Sequence, residues 1–154
     1  MKIVIAPDSF KGSASSSEIA TWIEAGIHSV IPTCEIVKIA IGDGGEGSLD
    51  AIVDAGFTAF TCEVLGPLGN PVSAQIAIKG ETAFIEMAQA SGLAQLPGGE
   101  KSALNATSFG TGQLILAALD KGANQIIVAI GGTATTDAGA GALQALGAKL
   151  TDIS

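Results

Sequence analysis

Glu35-Ile36-Val37-Lys38-Ile39-Ala40-Ile41-Gly42-Asp43-Gly44-Gly45-Glu46-Gly47-Ser48 is a β-branched run that breaks into an acidic, glycine-rich loop. Branched side chains suit a pleated strand, and glycine lets a chain turn sharply out of one. Leu49, Ile52 and Val53 follow on one helical face, with Gly56 placed as the C-terminal glycine. Strand, glycine loop and helix form the repeating step of a parallel α/β sheet.

Read outward, the same step recurs. Residues 2–6 form a short apolar run, followed by apolar residues at 19, 22, 23, 27 and 30, which is helical spacing. Ser15 and Glu18 fit a capping box, and Pro32 ends the helix because it cannot continue the hydrogen-bond ladder. Trp22 sits at core spacing, whereas His28 falls away from the glycine loops. On the C-terminal side, Phe60, Cys62 and Val64 share one face of a strand over 57–65. Residues 1–66 are therefore expected to form a Rossmann-like parallel βαβαβ unit.

The texture then changes. Gly66-Pro67-Leu68-Gly69-Asn70-Pro71 is a dense turn cluster, and beyond it Val72, Ala74, Ile76 and Ile78 alternate with polar neighbours before Lys79-Gly80-Glu81 turns the chain into 82–87. This spacing predicts an antiparallel hairpin with one wet face. Residues 96–100 read as a surface loop. Leu114, Ile115, Ala118 and Leu119 mark a helix ending at Lys121-Gly122, residues 125–130 a strand apolar on both faces, and a small-residue helix is expected after Gly131-Gly132-Thr133. Residues 67–154 are read as the start of a second α/β domain. Residues 148–154 look like the entry to another strand, which suggests an incomplete chain.

Composition narrows the function. The chain has 154 residues, 47% of them hydrophobic and 14% charged, which excludes a disordered segment. Seven lysines, no arginine and fifteen carboxylates give a net charge of −8. The lysines are scattered, so nucleic acid and anionic membrane surfaces are poor partners. Mean hydropathy is +0.50, yet every apolar run falls short of the ~20 residues that a spanning helix needs. The N-terminus reads as a strand rather than a signal peptide, which makes a cytoplasmic address the expectation. Cys34 and Cys62 lack metal-site or redox spacing and are expected to be small buried hydrophobes.

Three loops carry the candidate chemistry: Pro7-Asp8-Ser9-Phe10-Lys11-Gly12-Ser13, Gly42 to Ser48, and Gly131-Gly132-Thr133-Ala134-Thr135-Thr136-Asp137. Each follows a strand and precedes a helix, and ligands gather at the carboxyl ends of parallel strands. Glycine backbones at a helix N-terminus suit an anion, although the same glycines also serve tight turns. Gly42, Gly44 and Gly47 match a dinucleotide fingerprint, with Glu63 near the spacing of a ribose-binding acid. Asp43 and Glu46, however, would repel a pyrophosphate, whereas Mg²⁺ is held by one or two carboxylates with phosphate oxygens and water. There is no P-loop sequence. Lys11, with Asp8, Asp43 and Asp137, would supply the cation and carboxylates that phosphoryl transfer requires. Thr107-Ser108-Phe109-Gly110-Thr111-Gly112 offers another anion hydroxyls and N–H groups, or simply caps a helix.

Together with Glu86-Met87-Ala88-Gln89-Ala90-Ser91-Gly92-Leu93, these stretches stand in the order and spacing of the bacterial glycerate kinase family, which the chain resembles from Met1 onward. The resemblance implies ATP- and Mg²⁺-dependent phosphorylation of D-glycerate to a phosphoglycerate, on a two-domain α/β fold unlike P-loop kinases. It also implies a longer chain, of which these residues resemble the N-terminal part. On that reading Asp8, Lys11, Asp43 and Asp137 are catalytic, and Asp43 and Glu46 hold the metal. Ser9, Gly12, Gly44, Gly45, Glu46, Ser91, Ser108, Gly110, Thr111, Gly131, Gly132 and Thr133 contact substrate or nucleotide.

Thr133, Thr136 and Ala138 depart from the family's usual serine, asparagine and glycine, and Ser48 from its threonine. Ala138 adds a methyl group where the backbone has need of close approach or unusual angles. Without arginine, which normally clamps carboxylates and phosphates, essential cations are expected from outside these residues. The 154 residues alone are expected to be inactive and to self-associate. Two other readings stay open: an NAD(P)-dependent oxidoreductase using the Gly42–Gly47 loop, and a non-catalytic α/β remnant.

Overall fold

A computed structural model describes residues 1–10, 13–96 and 103–151. Contacts divide the chain into Met1–Asp43 and the residues from Gly44 onward.

In the first unit, β1 (Lys2–Ile5) and β2 (Glu35–Lys38) pair in parallel, with Ile3 opposite Ile36 and Val4 opposite Val37. The connection is α1 (Ser16–Val30), which starts on the expected capping box: Glu18 N–H donates to Ser15 Oγ, and Ser15 N–H donates to the Glu18 carboxylate at 2.9 Å. Ile19 and Ala20 are buried, and His28 is exposed. Trp22 departs from its expected place in the core, being 62% exposed. Helical spacing says which side chains share a face, but within residues 1–43 two short strands supply too little surface to cover that one.

The second unit holds a four-stranded sheet in the order β3 (Thr58–Leu65), β4 (Pro71–Lys79), β5 (Thr82–Glu86), β6 (Gln125–Ala129). The first two pairs are antiparallel, and β5 and β6 are parallel. A single parallel βαβαβ unit is therefore corrected to a two-stranded parallel sheet and a mixed four-stranded one. The physical cause is the turn at 66–70, closed by Gly66 N–H to the Asn70 carbonyl at 2.6 Å, which pairs β3 locally with β4. The domain change expected at residues 66–67 falls inside that hairpin.

The expected wet face is found in part, with Ser73 and Lys79 exposed on it and Ala77 and Phe84 covered. On one side Val64, Ala74, Ile76, Ala83 and Ile85 pack with Leu114 and Ala118 of α4 (Phe109–Asp120). On the other, Ala77, Phe84 and Ala129 pack on Leu49 of α2 (Ser48–Asp54). Helix α2 thus covers part of a face that the β4 alternation alone leaves polar. The expected β4–β5 hairpin forms with Lys79 opposite Thr82, and α4 stops at Lys121-Gly122 as expected.

Strand β6 ends the sheet order, and Ile127 and Ile130 are 47% and 72% exposed, so its side chains are less covered than the run suggests. The expected small-residue helix is α5 (Ala140–Ala145). Between β5 and α4 lie the short α3 (Ala88–Ser91) and a 3₁₀ turn at Leu93–Gln95. Leu96, read as surface loop, is instead buried with Ala106 and Ala134, while residues 97–100 of that loop lie outside the described residues. Cys34 is buried and Cys62 half-buried, both as free thiols. The strand expected over 148–154 does not begin by Thr151, and residues 152–154 lie outside the description. Among the described residues, no helix is long and apolar enough to cross a membrane.

Candidate functional site

The first loop belongs to the first unit. Asp8 is exposed and its Oδ1 accepts the N–H of Ser9 at 2.7 Å, while Ser16 Oγ donates to the Pro7 carbonyl at 2.7 Å and ties the loop to α1. Lys11 and Gly12 lie outside the described residues. Asp43, exposed, closes this unit.

Four of the five family-like stretches meet in the second unit, around the carboxyl ends of β5 and β6. Gly131 N–H donates to the Gly44 carbonyl at 2.7 Å, and a side chain at Gly131 would run into the backbone of Gly44 and Gly45. Gly44 and Gly47 have φ of +86° and +90°, which glycine alone adopts cheaply. Leu93 N–H donates to the Gly132 carbonyl, and Ala134 N–H to the Ser91 carbonyl, both at 2.9 Å. Glu46, Gly132 and Thr133 are exposed, and the Thr133 hydroxyl accepts the N–H of Thr135 at 3.3 Å.

The hydroxyls of the third and fourth stretches are turned inward. Ser91, fully buried, accepts the Thr111 hydroxyl at 2.9 Å. The Ser108 hydroxyl donates to Asp137 and accepts Ala142 N–H, both at 2.9 Å. Gly110 has its α-carbon packed against the Leu65 carbonyl, leaving no room for a side chain. Ser91, Ser108, Gly110 and Thr111, expected to face a ligand, are occupied in holding α3, α4 and α5 together.

Asp137, expected to be catalytic, is occupied in the same way. Its Oδ2 accepts Ser108 N–H at 2.8 Å, the Ser108 hydroxyl, and Gly141 N–H at 3.1 Å, while Oδ1 accepts Gly139 N–H at 3.1 Å. Burial works to raise its pKa, and these four donors together outweigh burial and hold it below the ordinary aspartate value. This geometry commits the Asp137 carboxylate to Ser108 and to the start of α5.

Glu86 escaped the sequence reading of individual roles. It ends β5 at 1% exposure, with Oε1 accepting Gly47 N–H at 3.3 Å and Oε2 accepting Leu49 N–H at 2.8 Å. Burial pushes its pKa up against the pull of those two amides, and Asp50 and Glu46 push the same way. The available signal was one acid closing the apolar run Ala83-Phe84-Ile85. Its consequence is chemical: the first turn of α2, where a pyrophosphate would rest in a dinucleotide site, is already filled by this chain's own carboxylate. Glu63, the supposed ribose acid, lies inside β3 opposite Ser73. Asp137 likewise occupies the first turn of α5, through Gly141 N–H, while holding the N-cap residue of α4, Ser108.

Among the described residues, no three His, Cys, Asp or Glu side chains cluster as a metal cage. Mg²⁺ needs no such cage, since one or two carboxylates with phosphate oxygens and water suffice. Asp43 at the end of the first unit and Glu46 in the second are both exposed, and each offers a carboxylate of that donor class.

The second unit is thus an α/β body with glycine loops knitted at strand ends, in a chain without a P-loop sequence. The glycerate kinase family model matches residues 3–154, and the chain belongs to that family. It is 52% identical to glycerate 2-kinase of Escherichia coli K12 over 99% of this chain and 41% of that protein. It is 50% identical to glycerate kinase of Bacillus subtilis 168, again spanning 41% of it. The crystal structure of putative glycerate kinase 2 from Salmonella typhimurium LT2 superposes with a TM-score of 0.79 at 51% identity, over 99% of this chain and 42% of that one. The chain thus spans about two-fifths of the length of these relatives.

Proposed function

We propose that these residues form part of a cytoplasmic kinase that transfers the γ-phosphoryl group of ATP to a hydroxyl of D-glycerate, giving a phosphoglycerate and ADP. The observation that supports this most is the mutual locking of the Gly44–Ser48, Glu86–Leu93, Thr107–Gly112 and Gly131–Asp137 stretches. Family membership supplies the reaction class.

On this reading Asp43 and Glu46 hold Mg²⁺, and the ion, when bound, neutralises charge on the phosphate oxygens. With the Asp137 carboxylate committed to Ser108 and to backbone, Asp8 and Asp43 are the candidates to accept the proton of the attacking hydroxyl. Lys11 supplies positive charge to the moving phosphoryl group. Ser9, Gly12, Gly132 and Thr133 contact substrate or nucleotide, and further cations come from outside these residues. The oxidoreductase reading loses support because Glu86 fills its pyrophosphate seat.

The test is a chimera in which residues 1–154 replace the matching segment of the Escherichia coli relative. Glycerate-dependent ADP release is expected, falling about a hundredfold, on the scale seen when a charge-stabilising group is removed, with Asp43→Asn. It is expected to collapse with Lys11→Met at unchanged circular dichroism. A folded chimera that binds NADH and releases no ADP would overturn the reading.

A further inference from the structure

Helix α2 begins without a cap of its own. Its N-cap is Gly47, which has no side chain, and the Ser48 hydroxyl is turned back to accept Gly44 N–H at 3.0 Å. Ser, Thr, Asp or Asn at the N-cap would satisfy the first-turn amides cheaply. Here a glutamate 37 positions away does so, from the end of a buried strand. Burying a carboxylate at 1% exposure is costly even when it is hydrogen-bonded. Local rules broken at a cost tend to mark functional sites, and a local cap would leave the Gly47 and Leu49 amides without this bond to β5. Through Glu86, the segment carrying Glu46 is instead bolted to β5, whose neighbour β6 leads into Gly131 and its bond to Gly44.

We propose that Glu86 is a positioning residue, whose buried carboxylate fixes the backbone of Gly44–Leu49 so that Glu46 is presented to the metal. This rests on the metal role given to Glu46 above. Glutamine at 86 keeps the volume and one acceptor but turns an NH₂ toward an N–H, so one of the two amides loses its partner. The fault is confined to the loop.

The experiment uses the ¹⁵N-labelled 154-residue chain, with Mn²⁺ as the probe, in the wild type and in Glu86→Gln. In the wild type, Leu49 and Gly47 amides should exchange slowly and Glu46 should broaden first on adding Mn²⁺. In Glu86→Gln, exchange at Gly47 and Leu49 should rise at least tenfold while Ile85 and Val128 keep their rates. The Mn²⁺ concentration for half-broadening should rise severalfold. Unchanged exchange and metal response would overturn the proposal, as would equal acceleration throughout β4, β5 and β6. Should the variant not fold, an unprotected Leu49 amide in the wild type overturns it without a variant. Loosened amides with no Mn²⁺ effect at Glu46 in either protein would remove the metal role of Glu46 while confirming that Glu86 holds the loop.

Discussion

Asp137 holds Ser108 twice, accepting its backbone N–H at 2.8 Å and its hydroxyl at 2.9 Å on the same oxygen, Oδ2. Because Oδ2 also takes Gly141 N–H, one carboxylate joins the start of α4 to the start of α5. Ser108 completes the link by accepting Ala142 N–H. The acid closing the family-like Gly131–Asp137 stretch therefore ties two helices together.

Replacing that carboxylate should cost stability as well as turnover. Asp137→Ala strands donors around Ser108, which is 4% exposed, and is expected to lose about 2–3 kcal/mol, with Asp137→Asn losing about half of that. Urea denaturation reads the loss. An unchanged midpoint would return Asp137 to the list of carboxylates free for chemistry.

The same bond set predicts a dependence on pH. The native pKa of Asp137 lies below the ordinary value of 3.8, so its contribution is present above that value and is lost as pH falls through the depressed one. Denaturation midpoints of the wild type and Asp137→Asn should stay a constant distance apart near neutrality and converge below pH 3.8. A gap that persists into strong acid would show that the charge is not what matters.

Ala138 is the one described non-glycine residue with positive φ, at +53°. Left-handed backbone costs a residue with a Cβ about 1–2 kcal/mol, of which glycine's greater unfolded-state freedom takes back about 0.4–1. Ala138→Gly should therefore stabilise the chain by about 0.5–1 kcal/mol, raising its melting temperature. A lower melting temperature would mean that the methyl group makes a packing contribution.

Two glycine substitutions should differ in sign. Gly110→Ala drives a methyl group into the Leu65 carbonyl and should cost about 3 kcal/mol or prevent folding. Gly26 sits inside α1 with open space around it, so Gly26→Ala should add about 0.5–1 kcal/mol. Thermal melts of both variants check the pair, and a stable Gly110→Ala would contradict the close approach of α4 to β3.

Residues 1–154 alone should show no glycerate-dependent ADP release in a coupled assay. They hold no arginine and carry a net charge of −8, and carboxylates of this chain take first-turn amides of α2 and α5. Little positive charge then remains for the transferring phosphoryl group. Robust turnover from a monodisperse sample would show that these residues suffice.

Much of the local structure was legible. The Ser15–Glu18 capping box, the turn between β4 and β5 and the Lys121-Gly122 helix stop each depend on residues a few positions apart, whose interactions hold in almost any surroundings. The unease over Ala138 was local too, since its methyl group meets its own backbone. The glycine loops were legible as loops, although their partners were not. Helical spacing placed Trp22 on a face without saying whether anything would cover that face.

The sequence by itself determined the elements, the family and the acidic character of the loops, because these follow from periodicity, short-range hydrogen bonding and residue type. Only the tertiary structure decided that Glu86 and Asp137 are committed to backbone far along the chain. Glu86 meets Leu49 across 37 positions and Asp137 meets Ser108 across 29, and no local pattern encodes either meeting. A buried amide must find an acceptor from whatever the fold brings near, and here the fold brings an acid from another strand or loop.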